Sequence, residues 1–223
     1  RKTPCEVCYY ITGHGLGHAT RSLELIRVLL KSGHFNVHVV TQVHADFFWA
    51  GLKDYQLNGN VAGRFSHSCR ALDSGASQSD VFTVDAMESL KQYSVKVNNH
   101  REDLVSFEVN WLKERSVGLV LVDATPLGCE IGRRAGAVTV LISNFSWDFC
   151  YREMMDIAFD QGQLTLDQHA LYEAMVSQCE ADSSACSYYL QLPGCTPPPR
   201  GFPCSAPRRP PPQPSSPPPP ALL

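Results

Sequence analysis

His14 and His18 stand four residues apart in Gly13-His14-Gly15-Leu16-Gly17-His18, and far along the chain Asp123 closes the apolar run Gly118-Leu-Val-Leu-Val-Asp123. A histidine beside a carboxylate is the pair that general-base chemistry on a hydroxyl requires. The carboxylate orients one ring nitrogen, and the other nitrogen takes the proton. A plainer use is also open, with His18 capping or packing a helix start and Asp123 capping the helix that begins near Pro126. Spacing alone does not separate the two. Two histidines at i and i+4 on a helix can chelate a metal, but these lie in a glycine turn and no Glu follows His14, so no metal site is expected.

The glycine segment reads G-x-G-x-G-H and departs from the G-x-G-x-x-G dinucleotide fingerprint. Glycines at such a turn still allow the backbone close to a ligand, and the helix N-terminus that follows can hold an anion. They also suit a tight strand-to-helix turn with no ligand at all. No acid ends the second strand pattern, Val39-Val40-Thr41-Gln42, so a nicotinamide or flavin dinucleotide is not expected. Ser143-Asn144-Phe145-Ser146-Trp147-Asp148 follows another apolar run; its aromatics suit either a sugar face or the core. The sequence holds no G-x-S-x-G elbow and no G-x4-G-K-[ST] phosphate loop.

These residues need elements to hold them. Glu6–Thr12 reads as a buried strand, Ala19–Leu30 carries Leu23, Ile26, Leu29 and Leu30 at helical spacing, Gly33 closes that helix, and Asn36–Thr41 reads as a second strand. This is one βαβ unit, with a right-handed crossover expected. The middle is less regular: a short helix over 45–52, an irregular strand over 61–69, a loop over 72–80, then Val81–Asp85 leading into one long helix from Met87 to about Arg115. Gly118–Asp123 and Val138–Ser143 read as fully buried strands, with a helix from Pro126 between them. Residues 147–180 read as helix and Ser187–Leu192 as a last strand. The pattern predicts an α/β fold with a doubly wound, mostly parallel Rossmann-like sheet. Ligands of such sheets bind outside the carboxyl ends of the strands, where the glycine loop, Asp123 and the Ser143–Asp148 segment all fall.

Fourteen of the sixteen prolines lie at or after Pro193, so residues 1–192 are expected to fold as one domain and 193–223 to form a disordered Pro-rich tail. A proline-recognition domain is a further partner such a tail suits. The formal charge is −3, and without the tail's three arginines the body stands at −6, which disfavours nucleic acid as a partner. No apolar run approaches the ~18 residues of a spanning helix, so no membrane partner is expected. Nine cysteines include one C-x-x-C, Cys5 and Cys8, with no second pair at zinc-site spacing. Reduced thiols and a cytoplasmic setting are expected. The opening Arg-Lys-Thr-Pro-Cys has no apolar signal core, so the true start is not visible.

Several of these segments resemble one family. Tyr9-Tyr-Ile-Thr-Gly-His-Gly-Leu-Gly-His-Ala-Thr-Arg21, Gly33-His34, Val37–Thr41, Val84-Asp85, Arg101-Glu102 and Ser143-Asn-Phe-Ser-Trp-Asp-Phe149 closely resemble the N-terminal region of plant and algal L-arabinokinases, over about residues 7–195. The resemblance implies the N-terminal half of a GT-B glycosyltransferase-like fold, followed in the family by a GHMP-type sugar kinase domain. That parent enzyme uses ATP and magnesium to phosphorylate L-arabinose at its anomeric hydroxyl. The kinases carry a Pro-x3-Gly-Leu-Ser-Ser-type phosphate loop that this sequence lacks, so the chain by itself is expected to have no kinase activity and no cofactor, with a UDP-sugar as the ligand the fold implies. After Leu192-Pro193-Gly194, where the family continues into a donor-binding domain, this sequence turns to proline, which suggests a truncated or misread gene product.

In the plant UDP-glycosyltransferases that share the GT-B fold, a His after the first strand and an Asp ending a later buried strand form a dyad, and His18 and Asp123 match those places. Sugar or nucleotide contacts are expected from Gly13, His14, Gly15, Gly17, Arg21, Asn144, Trp147 and Asp148. Two functions follow as expectations: a sugar-binding or nucleotide-sugar-binding module of an arabinokinase-like protein, or the acceptor-side half of a glycosyltransferase using His18 and Asp123.

Overall fold

A computed structural model of the chain describes residues 3–53, 63–78, 80 and 83–202. Its elements run β1 (Cys5–Ile11), α1 (Leu16–Ser32), β2 (Phe35–Thr41), α2 (Ala45–Lys53), β3 (Phe65–Cys69), β4 (Ser77–Gln78), β5 (Val84–Asp85), α3 (Ala86–Lys96), α4 (Arg101–Glu114), β6 (Leu119–Asp123), α5 (Pro126–Ala135), β7 (Val138–Ser143), α6 (Trp147–Asp160), α7 (Leu166–Ser184) and β8 (Tyr188–Gln191). Six strands form one parallel sheet in the order β3-β2-β1-β6-β7-β8, and β4 pairs antiparallel with β5. Winding outward in both directions from the central β1–β6 pair is the doubly wound arrangement the strand pattern predicts. The carboxyl ends of β1 and β6 therefore lie side by side.

The two faces of the sheet carry separate cores. Val7, Tyr9, Ile11, Val37 and Val39 pack with Ala19, Leu23, Ile26 and Leu30 of α1 and Phe48 and Leu52 of α2. On the other face Cys8, Tyr10, Val40, Val120, Val122 and Leu141 pack against residues of α3 to α7. Alternation along β1 sends Val7, Tyr9 and Ile11 one way and Cys8 and Tyr10 the other, so a strand buried on both faces reads as one apolar run. Helix α5 lies close on the sheet because two of its positions lack side chains. A Cβ at Gly132 would sit 2.2 Å from Thr139 Oγ1, and one at Gly128 would sit 3.2 Å from Tyr10 Cβ.

Several boundaries differ from the sequence reading. The helix expected from Ala19 begins at Leu16, which places His18 in its first turn. The long helix expected over 87–115 is two, α3 and α4, joined by a 3-10 turn over Asn98–His100, because Val97 is buried with a non-helical φ of −118° and two asparagines of low helix propensity follow. The stretch 147–180 divides at Gly162, whose φ is +68°. Thr165 and Gln168 then form a reciprocal capping box that starts α7. The loop over 72–80 contains the short strand β4. Val61, Val81 and Phe82 lie outside the described residues, as do residues 203–223 of the proline-rich segment. Residues 193–202 lie against the body: the amide of Thr196 donates to the Asn144 carbonyl (2.7 Å), and the Phe202 ring packs edge-on to Tyr189. Among the described residues no helix is long and apolar enough to cross a membrane.

Candidate functional site

Adjacent strands β1 and β6 place the glycine loop and Asp123 together. The register pairs Ile11 with Asp123, and the Thr12 amide donates to the Asp123 carbonyl at 3.1 Å. Gly15, with φ +75°, turns the chain from β1 into α1, a conformation that side-chain-bearing residues rarely adopt. In the first turn of α1, His18 Nδ1 lies 2.8 Å from Asp123 Oδ1, both groups buried. With the proton on Nδ1, the ring donates to the carboxylate and keeps the Nε2 lone pair free to accept from a hydroxyl; with the proton on Nε2, Nδ1 instead accepts from the Arg21 guanidinium, which also lies 2.8 Å away.

Asp123 is shared. Arg21, one helical turn beyond His18, donates from Nε to Asp123 Oδ2 at 2.7 Å and from a terminal nitrogen to Oδ1. The same guanidinium donates to the side-chain oxygen of Asn144 and, at 3.2 Å, to Ser143 Oγ. The Ser22 hydroxyl donates to Asp123 Oδ2 at 3.2 Å. Burial pushes the Asp123 carboxyl up, but the Arg21 and His18 hydrogen bonds outweigh it and hold it below the usual carboxylate range. The carboxylate thus stays ionised with its charge balanced by a bidentate arginine.

A second buried carboxyl, Asp73, lies in the loop after β3. Thr12 Oγ1 donates to its Oδ1 at 3.0 Å and Thr125 Oγ1 to its Oδ2 at 3.2 Å. Thr12 Oγ1 in turn accepts from Trp147 Nε1 at 3.0 Å and from the His14 amide at 3.3 Å. One acid therefore fastens the glycine loop, the β6–α5 turn and the start of α6. Complete burial pushes Asp73 up to about 6, against the pull of the Thr12 and Thr125 hydroxyls. The sequence reading missed it, because Asp123 closes an apolar run whereas Asp73 lies in the loop beyond β3, a strand too short and polar to mark its own end.

The predicted site residues divide by place. His18, Asp123, Arg21 and Asn144 form one hydrogen-bonded cluster. Gly13 packs on Gln42, while Gly15 and Gly17 are exposed with open space at their Cα positions. His14 sets its ring edge-on to Trp147 (5.1 Å between centroids), and burial followed by the nearby His18 lowers its pKa. Trp147 is only 3% exposed and stacks on Tyr151, so its indole braces the crevice from behind. Asp148 points away from the cluster, accepting from Ser183 Oγ at 2.7 Å. The ring that flanks His18 is Phe145, 5.0 Å away edge-on.

The chain is 35% identical to the L-arabinokinase of Arabidopsis thaliana over 192 residues, which is 86% of this chain and 17% of that protein. No family model matches the chain. Among solved structures it is similar to the glycotransferase of kitacinnamycin (18% identity, TM-score 0.48, covering 82% of this chain and 41% of that one). It is also similar to Phytolacca americana UGT2 complexed with UDP-2fluoro-glucose and pterostilbene (12% identity, TM-score 0.44, covering 85% and 48%). The chain spans less than a fifth of the length of the curated relative. The chain is similar to L-arabinokinase along most of its own length and folds as a doubly wound Rossmann-like sheet.

Proposed function

We propose that the chain is the glycosyltransferase-like part of an L-arabinokinase-like protein and binds a sugar or nucleotide sugar at the carboxyl ends of β1, β6 and β7. The observation that carries this reading is the convergence of His18, Arg21, Asp123 and Asn144 at that edge, from three elements distant in sequence. A sugar presents hydroxyls that both donate and accept, and this cluster offers an imidazole nitrogen, a carboxamide and a partly exposed guanidinium. The exposed N-terminus of α1 beside Gly15 and Gly17 supplies unpaired N–H groups for a diphosphate, should the sugar carry one. In this reading the ATP-dependent and magnesium-dependent phosphorylation of L-arabinose to L-arabinose 1-phosphate belongs to other parts of such a protein, because no phosphate loop of the kinase type occurs in this sequence.

Isothermal titration of the folded chain with L-arabinose, UDP-arabinose and UDP tests the proposal. Heat with at least one of them, reduced at least tenfold in affinity by Arg21→Ala, is the expected result. A folded sample silent to all three removes it.

A second reading is favoured by the 2.8 Å His18–Asp123 contact. In it the chain is the acceptor side of a UDP-sugar-dependent glycosyltransferase and needs a donor-binding domain from elsewhere. An acceptor hydroxyl within reach of His18 Nε2 would give up its proton as it attacks the anomeric carbon, and Asp123 would stabilise the imidazolium. Arg21 already balances that carboxylate, so the imidazolium gains less than it would from an unpaired acid. UDP release that persists unchanged in His18→Ala counts decisively against this second reading.

A further inference from the structure

A second imidazole stands beside the His18 cluster, and the loop after β3 is built against it. The His14 ring is partly exposed, set edge-on to Trp147, and in contact with the backbone of the buried Gly75. A Cβ at Gly75 would sit 2.6 Å from His14 Nδ1 and 2.7 Å from His14 Cβ, and the backbone there has φ +61°, so any side chain would strain the turn and displace the ring. The loop is fastened on three sides. Asp73 accepts from Thr12 and Thr125, the Tyr151 hydroxyl of α6 accepts from Ser74 Oγ and donates to the Gly75 carbonyl, both at 3.1 Å, and the Ser77 amide donates to Ser89 Oγ of α3 at 2.8 Å. Thr12 Oγ1, which donates to Asp73, also accepts from the His14 amide. Residues 73–75 thus fix both the backbone and the ring of His14. Among the described residues, neither ring nitrogen of His14 has a hydrogen-bond partner. Burial and the nearby His18 lower its pKa, so the ring is uncharged at neutral pH and offers one donor and one acceptor nitrogen.

Resting on the sugar-binding reading above, we propose that His14 contacts the bound sugar through a ring nitrogen, and that Asp73 and Gly75 are the positioning residues that hold it there. Asp73 acts through the Thr12 hydroxyl on the His14 backbone. Gly75 acts by leaving the space in which the ring rests. A partly exposed side chain wedged in one place has already lost its rotamer freedom in the folded protein, so a ligand that meets it does not bear that entropic cost on binding. A hydroxyl of the sugar donates to one nitrogen of the neutral ring or accepts from the other.

The test is a double-mutant cycle read by calorimetric titration with L-arabinose, UDP-arabinose and UDP. His14→Ala and Gly75→Ala are each expected to weaken binding of the sugar-bearing ligands at least fivefold. With His14 already removed, Gly75→Ala is expected to change affinity less than twofold, because its effect runs through that ring. A Gly75→Ala effect of equal size in both backgrounds means a merely structural role and overturns the proposal, as does wild-type affinity in either single variant. Heat with UDP alone overturns it while leaving nucleotide binding in place; silence of the wild type toward all three ligands removes the binding reading and this proposal together. Should Gly75→Ala fail to fold, Asp73→Asn takes its place in the cycle with the same coupling expected. In the free wild-type protein, NMR is expected to show a nuclear Overhauser contact between the His14 ring protons and the Gly75 α-protons. Its absence overturns the proposal without recourse to any variant or ligand.

Discussion

Asp73, in the loop after β3, and Asp123, at the end of β6, are both buried and are kept in opposite conditions by their surroundings. Asp123 faces a guanidinium and an imidazole and stays below the usual carboxylate range, whereas Asp73 has no arginine partner and is pushed up by burial to about 6 despite the Thr12 and Thr125 hydroxyls. An acid whose folded pKa exceeds its unfolded value stabilises the fold most below the unfolded pKa, near 4, and that contribution is lost as pH rises through about 6. Over this window Asp73 therefore makes the protein less stable by about 3 kcal/mol as pH rises. Asp73→Asn, which keeps the shape and an acceptor for Thr12, is expected to remove that component. Urea denaturation at pH 4.5 and pH 7 of both proteins measures it; an unchanged pH dependence in the variant assigns the effect elsewhere. His38 opposes it, since burial lowers its pKa to about 4 and its contribution is lost as pH falls. The comparison between variant and wild type isolates Asp73 from that background.

At the scale of elements, α5 matters most to the site because its position sets the end of β6. Its first turn follows Ala124, a non-glycine residue at φ +59°, and its body lies on the sheet through Gly128 and Gly132. A methyl group at Gly132 would meet Thr139 Oγ1 and Val120 Cβ, both on buried strands that have no space to yield. Gly132→Ala is expected to lift α5 and destabilise the chain by about 2 kcal/mol, despite alanine's better helix propensity. A lowered midpoint in urea with an unchanged slope would show it, and a stabilised variant would mean that the helix shifts freely. The αL glycine at Gly33 is an end of the kind that sequence rules find readily, whereas the break at Val97 depends on a side chain pulled into the core.

At the scale of the whole molecule, the sheet is covered unevenly. Helices α1 and α2 pack over β3, β2 and β1, but on the same face further along the sheet Val138, Tyr188 and Leu190 are 49%, 61% and 54% exposed, on neighbouring strands. Contiguous apolar surface of this kind favours association. The chain is expected to scatter more light as its concentration rises, and Tyr188→Lys with Leu190→Lys to raise its solubility several-fold. Equal solubility of the two proteins would show that this face is not responsible. β8 is also an edge strand, so lysines there oppose strand-to-strand pairing as well.

The apolar runs of β1, β6 and β7 and the glycines that end α1 made the doubly wound sheet legible, since a strand buried on two faces and a helix closed by Gly33 leave local marks. From that topology the convergence of His18 with Asp123 followed, because ligand-facing loops of such a sheet share one edge. What the local pattern lacks is any record of which side chain turns to which. Arg21 reached both Asp123 and Asn144, Trp147 was drawn under the surface to Thr12, and Asp148 turned to Ser183. Each of those contacts joins residues from different elements. Only packing, which satisfies every buried donor and acceptor at once, selects among the partners a sequence allows.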